Sequence, residues 1–204
     1  MILNALVAAT LTLTSLISSA GPVSAQGPVQ GPVQSPVQGP LERPSTSPAV
    51  EDLLAELARP GQEGWARIER QILRLWGRSG SDTIDYLFGR GQAALQAGQA
   101  EDAIEIFSAV IDHDPDFAEA WNGRATAYYM ANRLGQSLAD IEQVLIRNPS
   151  HFGALAGMGM ILEQLNRPED ALRAYQASLA VHPYQPGVLE SVARLELAST
   201  GSSL

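Results

Sequence analysis

The sequence predicts an all-α fold in which helix-turn-helix units stack into a solenoid, and the segment 118–149 shows this unit most clearly. Its first half places Trp121, Ala125 and Tyr128 at the i, i+4 and i+7 positions of one helical face. After a break at Asn132, its second half has an apolar stripe of its own. One such pair of helices cannot bury its apolar faces alone, and similar pairs are present at intervals of 34 residues on both sides.

Several kinds of position recur with this period. A bulky residue is followed four positions later by a small one, where two helices must pass closely. The loop between the helices has a residue that tolerates the left-handed conformation that closes a helix. The second helix has a small residue and then a large one, and a proline, which lacks the backbone donor of a continuing helix, ends the unit. The recurring sets are Leu87, Trp121 and Leu155; Gly91, Ala125 and Gly159; Gly98, Asn132 and Asn166; Ala103, Ser137 and Ala171; Phe107, Ile141 and Tyr175; and Pro115, Pro149 and Pro183.

This pattern resembles the tetratricopeptide repeat family over about residues 84–183. The pair Trp121 and Tyr128, the small residues and the regularly spaced prolines carry the resemblance. It departs from the family pattern where Ser137 replaces the usual alanine and where Arg124 stands in place of an apolar residue. The resemblance implies a right-handed superhelix whose first helices line a concave groove that binds protein or peptide partners. The three repeats are predicted at 84–117, 118–151 and 152–185.

The predicted binding surface is the side of the first helices that faces away from the core. Amide and phenol groups there can bind a peptide backbone, and apolar side chains offer pockets. The residues predicted to form this groove are Phe88, Gln92, Asn122, Thr126, Tyr129, Met160 and Glu163. Cytosolic family members that bind chaperones clamp a terminal carboxylate with lysines and asparagines. This chain has no lysine, so that particular activity is disfavoured.

Composition narrows the functional classes. The chain has 204 residues and a net charge of −9, and this acidic balance argues against nucleic-acid binding, which requires a basic face. There is no cysteine, so disulfides and thiolate metal sites are excluded.

The N-terminal segment predicts export. Residues 2–17 form an uncharged, mostly apolar run, which as a helix would span about 24 Å and fall short of the roughly 30 Å hydrocarbon core of a membrane. Small residues and an A-x-A-like site that ends at Ala25 follow, so we expect a cleaved signal peptide at 1–25. No Lys or Arg precedes the apolar run, and an uncleaved inner-membrane anchor through 2–17 is the alternative.

The remaining segments flank the repeats. Residues 26–48 are rich in Pro, Gly and Gln, which predicts an extended, disordered linker. A helix pair within 49–83 is interpreted as a degenerate repeat or N-terminal cap whose aromatic residues cover the first helix pair of the repeats. The helix predicted at 186–199 would cap the other end.

The sequence shows no catalytic constellation, and no cofactor or metal is expected. The three histidines, His113, His151 and His182, lie beside the closing prolines, where exposed turn residues are expected. Asp116 with Glu119 three residues later predicts a capping box at the start of the next helix.

These observations predict a non-catalytic scaffold or adaptor of the bacterial cell envelope, periplasmic or secreted, that binds protein or peptide partners. No nucleic acid is expected as a partner, and the membrane is expected only through an uncleaved N-terminal segment. The alternative is a structural subunit docked permanently in an envelope assembly.

Overall fold

The computed structural model describes residues 47–201, with side chains described as far as residue 199, and all of these residues belong to one compact unit, Pro40–Leu204. This part of the chain is built from α-helices and contains no strand, which confirms the predicted all-α solenoid. None of its helices is long and apolar enough to cross a membrane. The helices are α1 (Pro48–Leu57), α2 (Trp65–Trp76), α3 (Asp82–Gln96), α4 (Ala100–His113), α5 (Ala118–Met130), α6 (Leu134–Arg147), α7 (Phe152–Gln164), α8 (Pro168–Val181) and α9 (Pro186–Gly201).

The predicted signal peptide (1–25) lies outside the described residues, and so does the predicted linker (26–48) apart from its last two residues. The last of these, Pro48, is already the first residue of α1.

The period of 34 residues is preserved in the helix bounds. Helices α5, α7 and α9 begin at residues 118, 152 and 186, and helices α4, α6 and α8 begin at residues 100, 134 and 168. Each first helix closes on a residue of positive φ, at Gly98 (74°), Asn132 (56°) and Asn166 (55°), as the sequence predicts. The following amides donate back into the helix, for example Arg133 N–H to the Tyr128 carbonyl at 2.8 Å. This geometry satisfies carbonyls that would otherwise lack partners at the helix end.

Aromatic rings of the second helices lie directly against glycines of the first helices. A Cβ added at Gly91 would lie 2.6 Å from Cε1 of Phe107, and one added at Gly159 would lie 2.5 Å from Cε1 of Tyr175. The small residues predicted at these positions are therefore required by packing. The same Phe107 ring also touches Gly123 of the next repeat, where an added Cβ would lie 2.5 Å from its Cζ. A single ring thus joins α3, α4 and α5.

Trp121 lies at the edge of the core. The buried residues of α5 are small, and the Trp121 side chain is only partly buried at the junction of two apolar clusters. Its indole N–H donates to the Pro115 carbonyl at 2.8 Å, and the guanidinium groups of Arg124 and Arg147 lie 4.9 and 4.7 Å from its ring centroid. Trp121 therefore links neighbouring helices at the edge of the core.

Arg124 and Ser137, which depart from the family pattern, form partly buried and buried hydrogen bonds. Arg124 donates to both carboxylate oxygens of Asp140, at 2.7 and 2.9 Å, and to the hydroxyl of Ser108 at 3.0 Å. Asp140 is 4% exposed, and its hydrogen bond raises the pKa of the Arg124 guanidinium. Ser137 is fully enclosed and donates to the Ala125 carbonyl at 2.7 Å. These polar contacts hold α5 against α4 and α6.

The helix pair α1–α2 packs against the third repeat. Its buried residues share an apolar cluster with Phe152, and Tyr184 packs against the same cluster. The two tryptophans of α2 contact this region directly. The Trp76 ring lies 5.2 Å from that of Phe152, and the Trp65 ring stacks on that of Tyr184 with centroids 6.2 Å apart. The expectation that these aromatic residues cover the first helix pair is therefore wrong.

The loop between α1 and α2 is fastened to the third repeat by one hydroxyl group. The Tyr184 hydroxyl accepts a hydrogen bond from the backbone N–H of Gln62 at 2.9 Å and donates to the backbone carbonyl of Arg59. We refer to α1, this loop and α2 together as the N-terminal hairpin.

The Glu119 carboxylate, predicted to form a capping box with Asp116, has a different partner. The residue at the N-cap is Phe117, without a side-chain hydrogen bond to the helix. Glu119 instead lies 2.8 Å from Nε2 of His151, in the next inter-repeat turn. The carboxylate therefore joins two repeats.

Candidate functional site

A pocket of about 260 Å³, here called the central pocket, lies between α5 and α7. Four of the predicted groove residues line it. They are Asn122, Thr126 and Tyr129 from α5 and Met160 from α7. Its other lining residues are Ala125, Ser137, Ile141, Gly153, Ala154, Gly157 and Ile161. These side chains are small or apolar and none is charged, so the pocket suits an uncharged apolar side chain of a ligand.

Polar groups at the central pocket are arranged for hydrogen bonding. The Thr126 hydroxyl donates to the Asn122 carbonyl at 2.9 Å, and the Tyr129 hydroxyl accepts from the Gln164 amide. The Asn122 side-chain amide makes no hydrogen bond to residues 47–199. An amide offers both donors and acceptors. Asn122 is therefore placed to pair with the backbone of a bound peptide.

A second pocket of about 470 Å³, here called the aromatic pocket, lies beside the central one. The N-terminal hairpin, α7 and the start of α9 form its walls, and Met160 belongs to both pockets. Its lining residues are Trp65, Glu69, Ala156, Met160, Tyr175, His182, Tyr184, Gln185, Pro186, Gly187, Val188 and Ser191. The two pockets therefore meet at the exposed Met160 side chain, which is 46% exposed.

Three predicted groove residues lie elsewhere. Phe88 is only 5% exposed and packs with Phe107 and Phe117, at ring distances of 5.7 and 5.0 Å, so it belongs to the core. Gln92 is exposed on α3 but lines neither pocket. Glu163 accepts the Tyr175 hydroxyl hydrogen bond at 2.9 Å. The burial of Tyr175 and this bond raise its pKa to about 12.

Glu163 also pairs with Arg194 of α9 at 2.7 Å. Its carboxylate thus connects α7 with α8 and α9, which is a structural role rather than the predicted groove position.

Two of the histidines are buried, although all three were expected on the turn surface. His113 is exposed, whereas His151 and His182 are 2% and 0% exposed. Nδ1 of His151 accepts the Ala154 amide hydrogen bond at 3.0 Å, so its proton lies on Nε2, which donates to Glu119. The Trp76 ring of the hairpin stacks on His151 with centroids 4.8 Å apart and covers it.

His182 forms part of the aromatic pocket. Its Nδ1 accepts from the Tyr184 amide at 3.3 Å, and its Nε2 lies 3.6 Å from a Glu69 carboxylate oxygen without a hydrogen bond. Burial lowers the pKa of His182, and the nearby carboxylate of Glu69 opposes this effect. The Trp65 ring lies 5.6 Å from the imidazole. His182 therefore supports the wall to which the hairpin is attached.

The aromatic pocket was missed by sequence reasoning because half of its lining lies outside the repeat pattern. Trp65 and Glu69 come from the hairpin, and the others come from α9. These are Pro186, Gly187, Val188 and Ser191. The available signal was the concentration of aromatic residues and histidines in the inter-repeat turns. Among residues 47–199, no group of three or more His, Asp or Glu side chains is placed to hold a metal ion. The arrangement offers noncovalent binding by apolar walls and a few polar groups.

Comparisons with known proteins agree with this fold. A sequence model described as tetratricopeptide repeat matches residues 88–140 and 131–186. A TPR repeat-containing protein of Rhizobium etli is 33% identical over 144 residues, which cover 70% of this chain and 71% of that protein.

Two solved structures show the same likeness of fold. The first TPR of Spaghetti (RPAP3), bound to HSP90 peptide SRMEEVD, has a TM-score of 0.55 and 20% identity and covers 57% of this chain and 93% of that chain. The Yersinia enterocolitica type III secretion chaperone SycD, in complex with a peptide of the translocator YopD, has a TM-score of 0.55 and 15% identity. That likeness covers 58% of this chain and 96% of that chain.

Proposed function

The chain belongs to the tetratricopeptide repeat family, and we propose that it is a non-catalytic scaffold or adaptor that binds a protein or peptide partner in the central pocket. The observation that carries this proposal is the pocket itself. Its apolar floor is surrounded by a phenol, an exposed methionine and the Asn122 amide, which has no hydrogen bond to residues 47–199. Such a combination fits a ligand with a free backbone and one or two apolar side chains.

Peptide complexes of solved relatives support the proposal. The matched TPR of Spaghetti holds an HSP90 peptide, and the matched SycD structure holds a YopD peptide. The central pocket of this chain contains no Lys or Arg, so its ligand differs from an acidic peptide held by basic side chains. We expect an uncharged, extended or helical segment.

Export to the bacterial cell envelope is part of the proposal. The apolar run 2–17, followed by the small-residue site at Ala25, supports a cleaved signal peptide and a periplasmic or secreted protein. Intact-mass measurement on protein from the envelope fraction tests this, and we expect a chain that begins at Gln26. A chain that keeps Met1 in the membrane fraction would make residues 2–17 an anchor instead.

A structural subunit docked permanently in an envelope assembly is the second candidate. The terminal helix favours it, because Leu189 and Leu197 are 47% and 75% exposed on α9 and a permanent neighbour would cover them. A partner that remains bound at stoichiometric level in high salt favours this candidate. Weak, exchangeable partners favour the adaptor.

Substitution of Met160 tests the central pocket. Met160→Arg places a long charged side chain where the two pockets meet, and because Met160 is half exposed we expect a stability change within about 0.5 kcal/mol. The matched control is Met130→Arg, since Met130 is 45% exposed on α5 but lines neither pocket.

Partner capture from the envelope fraction is measured for both variants. We expect Met160→Arg to weaken capture about tenfold or more and Met130→Arg to leave it unchanged. Equal capture by both variants would place the binding surface elsewhere.

A further inference from the structure

The aromatic pocket brings several rings close together. Trp65, Tyr175 and Tyr184 are among its lining residues, and the ring centroids of Trp65 and Tyr184 lie 6.2 Å apart. The imidazole of His182 lies 5.6 Å from the Trp65 ring and 6.3 Å from the Tyr184 ring. A cation is attracted to an aromatic ring when it lies within about 6 Å of the centroid, and several rings together bind quaternary ammonium groups. The pocket therefore has the composition of a cation-binding site.

Glu69 gives the pocket a negative charge. It is the only Asp, Glu, Lys or Arg residue in the lining, and it lies one helical turn after Trp65 on α2. Among residues 47–199, no arginine pairs with its carboxylate, and Nε2 of His182 lies 3.6 Å away without a hydrogen bond. Burial lowers the pKa of His182, so the imidazole is neutral at about pH 7 and leaves the charge of Glu69 uncompensated. The carboxylate therefore favours a positively charged ligand.

Most polar groups around the pocket already have partners in the protein. The Gln185 side-chain amide donates to the His182 carbonyl at 2.8 Å, and the Tyr184 hydroxyl bonds the hairpin loop. The hydroxyls of Tyr175 and Ser191 donate to other protein oxygens at 2.9 Å. A lysine ammonium has three N–H donors and a guanidinium has five, and each needs acceptors when it is enclosed. A quaternary ammonium has no N–H donor, so it fits these walls better.

The pocket also has the size and the opening for a small molecule. Its volume of about 470 Å³ lies within the range of about 300–1,000 Å³ found for small-molecule sites. Met160, Pro186 and Gly187 in its lining are exposed, so a ligand can enter from solvent. The Trp65 and Tyr184 rings already stack on each other in the protein without ligand. Walls that are formed in advance reduce the entropic cost of binding.

We propose that the aromatic pocket binds a small molecule with a quaternary ammonium group, which lies against the rings of Trp65 and Tyr184 with its charge near the carboxylate of Glu69. This inference goes beyond the function proposed for the central pocket. Glu69 lines the aromatic pocket and not the central one, so the two proposals fail separately.

The test uses choline as the probe and follows the three tryptophan indole signals by NMR. The protein is isolated after expression of the full chain and is labelled with ¹⁵N-tryptophan. We expect choline to shift the Trp65 signal with a dissociation constant of about 1 mM or tighter. The signals of Trp76 and Trp121 should stay in place, because these side chains do not line the pocket.

Two further probes separate the charge of choline from its shape. Neohexanol, in which a carbon atom replaces the choline nitrogen, has the shape without the charge, and we expect it to bind about tenfold more weakly or less. Sodium chloride at the same ionic strength has the charge without the alkyl groups, and we expect no saturable shift of the Trp65 signal.

A matched pair of variants tests the carboxylate. Glu69→Gln keeps the size of the side chain and removes its charge, and we expect it to weaken choline binding about tenfold or more. Glu142→Gln removes the same charge from an exposed position of α6 that does not line the pocket, so the affinity for choline should be unchanged.

Three outcomes would overturn the proposal. The first is a Trp65 signal that does not move at about 10 mM choline. The second is equal affinity of the two glutamine variants for choline, or equal affinity of the native protein for choline and neohexanol, since either result would leave only an apolar pocket. The third is binding of the protein to phosphatidylcholine vesicles without binding of free choline, which would assign the head group to a lipid.

Discussion

The Phe107 ring sets the spacing of the first two repeats, and Gly123→Ala tests this directly. The ring is fully buried, and an alanine Cβ at position 123 would lie 2.5, 2.7 and 2.8 Å from three of its carbons. Carbon atoms in contact normally stand about 3.5–4.0 Å apart. The ring cannot withdraw, because an added Cβ at Gly91 would already lie 2.6 Å from it.

The expected magnitude follows from two opposing effects. Overpacking of a filled core costs about 1–3 kcal/mol, whereas alanine in place of a helical glycine contributes about 1 kcal/mol. Gly89→Ala is the matched control, because Gly89 lies in α3 with open space around an added Cβ. At position 89 only the stabilising effect of alanine in place of a helical glycine remains. We therefore expect Gly123→Ala to be less stable than Gly89→Ala by about 1–3 kcal/mol.

Urea titration of both variants measures this difference, with the slope of the transition checked for each. Phe107→Leu, which removes the ring, supplies the second arm of a double-mutant cycle. In that background we expect the difference between the two alanine variants to fall below about 0.5 kcal/mol. Equal midpoints of Gly123→Ala and Gly89→Ala with Phe107 present would refute this account of the packing.

Three further predictions concern polar side chains that hold the fold together. Burial lowers the pKa of His182 in the folded protein. As the pH falls, the histidine of the unfolded state is therefore protonated first, and the free energy of unfolding should decrease below about pH 6.5. His182→Gln should reduce this dependence of the free energy of unfolding on pH, measured by urea titration at several pH values. An unchanged dependence would mean that other groups cause it. Asp140→Ala removes the buried carboxylate that pairs with the partly buried guanidinium of Arg124, and we expect it to lower the free energy of unfolding by about 1.5–3 kcal/mol. Glu101→Ala at an exposed pair should lower it by only about 0.2–1 kcal/mol, and equal urea midpoints of the two variants would contradict this. Tyr184→Phe should raise the rate of amide hydrogen exchange in the N-terminal hairpin about three- to tenfold and leave that of α5 unchanged. Equal rates in the variant and the native protein would mean that the hydroxyl does not hold the hairpin.

Local features of this fold were predictable from the sequence. The period of 34 residues fixed where helices recur, and residues such as Asn132 and Asn166 marked the turns because few other residues adopt positive φ there. These properties depend on a residue and its neighbours along the chain. Four residues of the predicted groove line the central pocket, because each repeat presents the same helical face at the same position.

Phe88 shows why the same reasoning fails at the first repeat. Its equivalents one and two periods later are Asn122 and Ala156, which lie on pocket walls. The repeat position predicted an open surface for Phe88 as well. Two phenylalanines nearby, Phe107 and Phe117, enclose it instead. A helical period specifies which face a residue shares, whereas the side chains around it decide whether that face is covered.

The position of the N-terminal hairpin required the three-dimensional structure, although the sequence contained a sign of it. Trp65 and Trp76 are eleven residues apart on α2, which places them on one face and about 16.5 Å apart along the helix. They contact Tyr184 and His151, which belong to successive inter-repeat turns. The turns of a solenoid are exposed to solvent unless another segment packs against them. Large aromatic and imidazole side chains in the turns therefore indicate that a further segment packs there.

The N-terminal hairpin also completes the aromatic pocket. Trp65 and Glu69 of the hairpin form one wall of the aromatic pocket, and the opposite wall comes from α7 and the start of α9. A site of this kind combines one wall from the repeats with one wall from outside them. Residues chosen by repeat position alone therefore identify only half of it. It follows that loosening the hairpin, as in Tyr184→Phe, should open the aromatic pocket more than the central pocket, whose walls belong entirely to the repeats. Faster amide exchange in the hairpin than in α5 would show this difference.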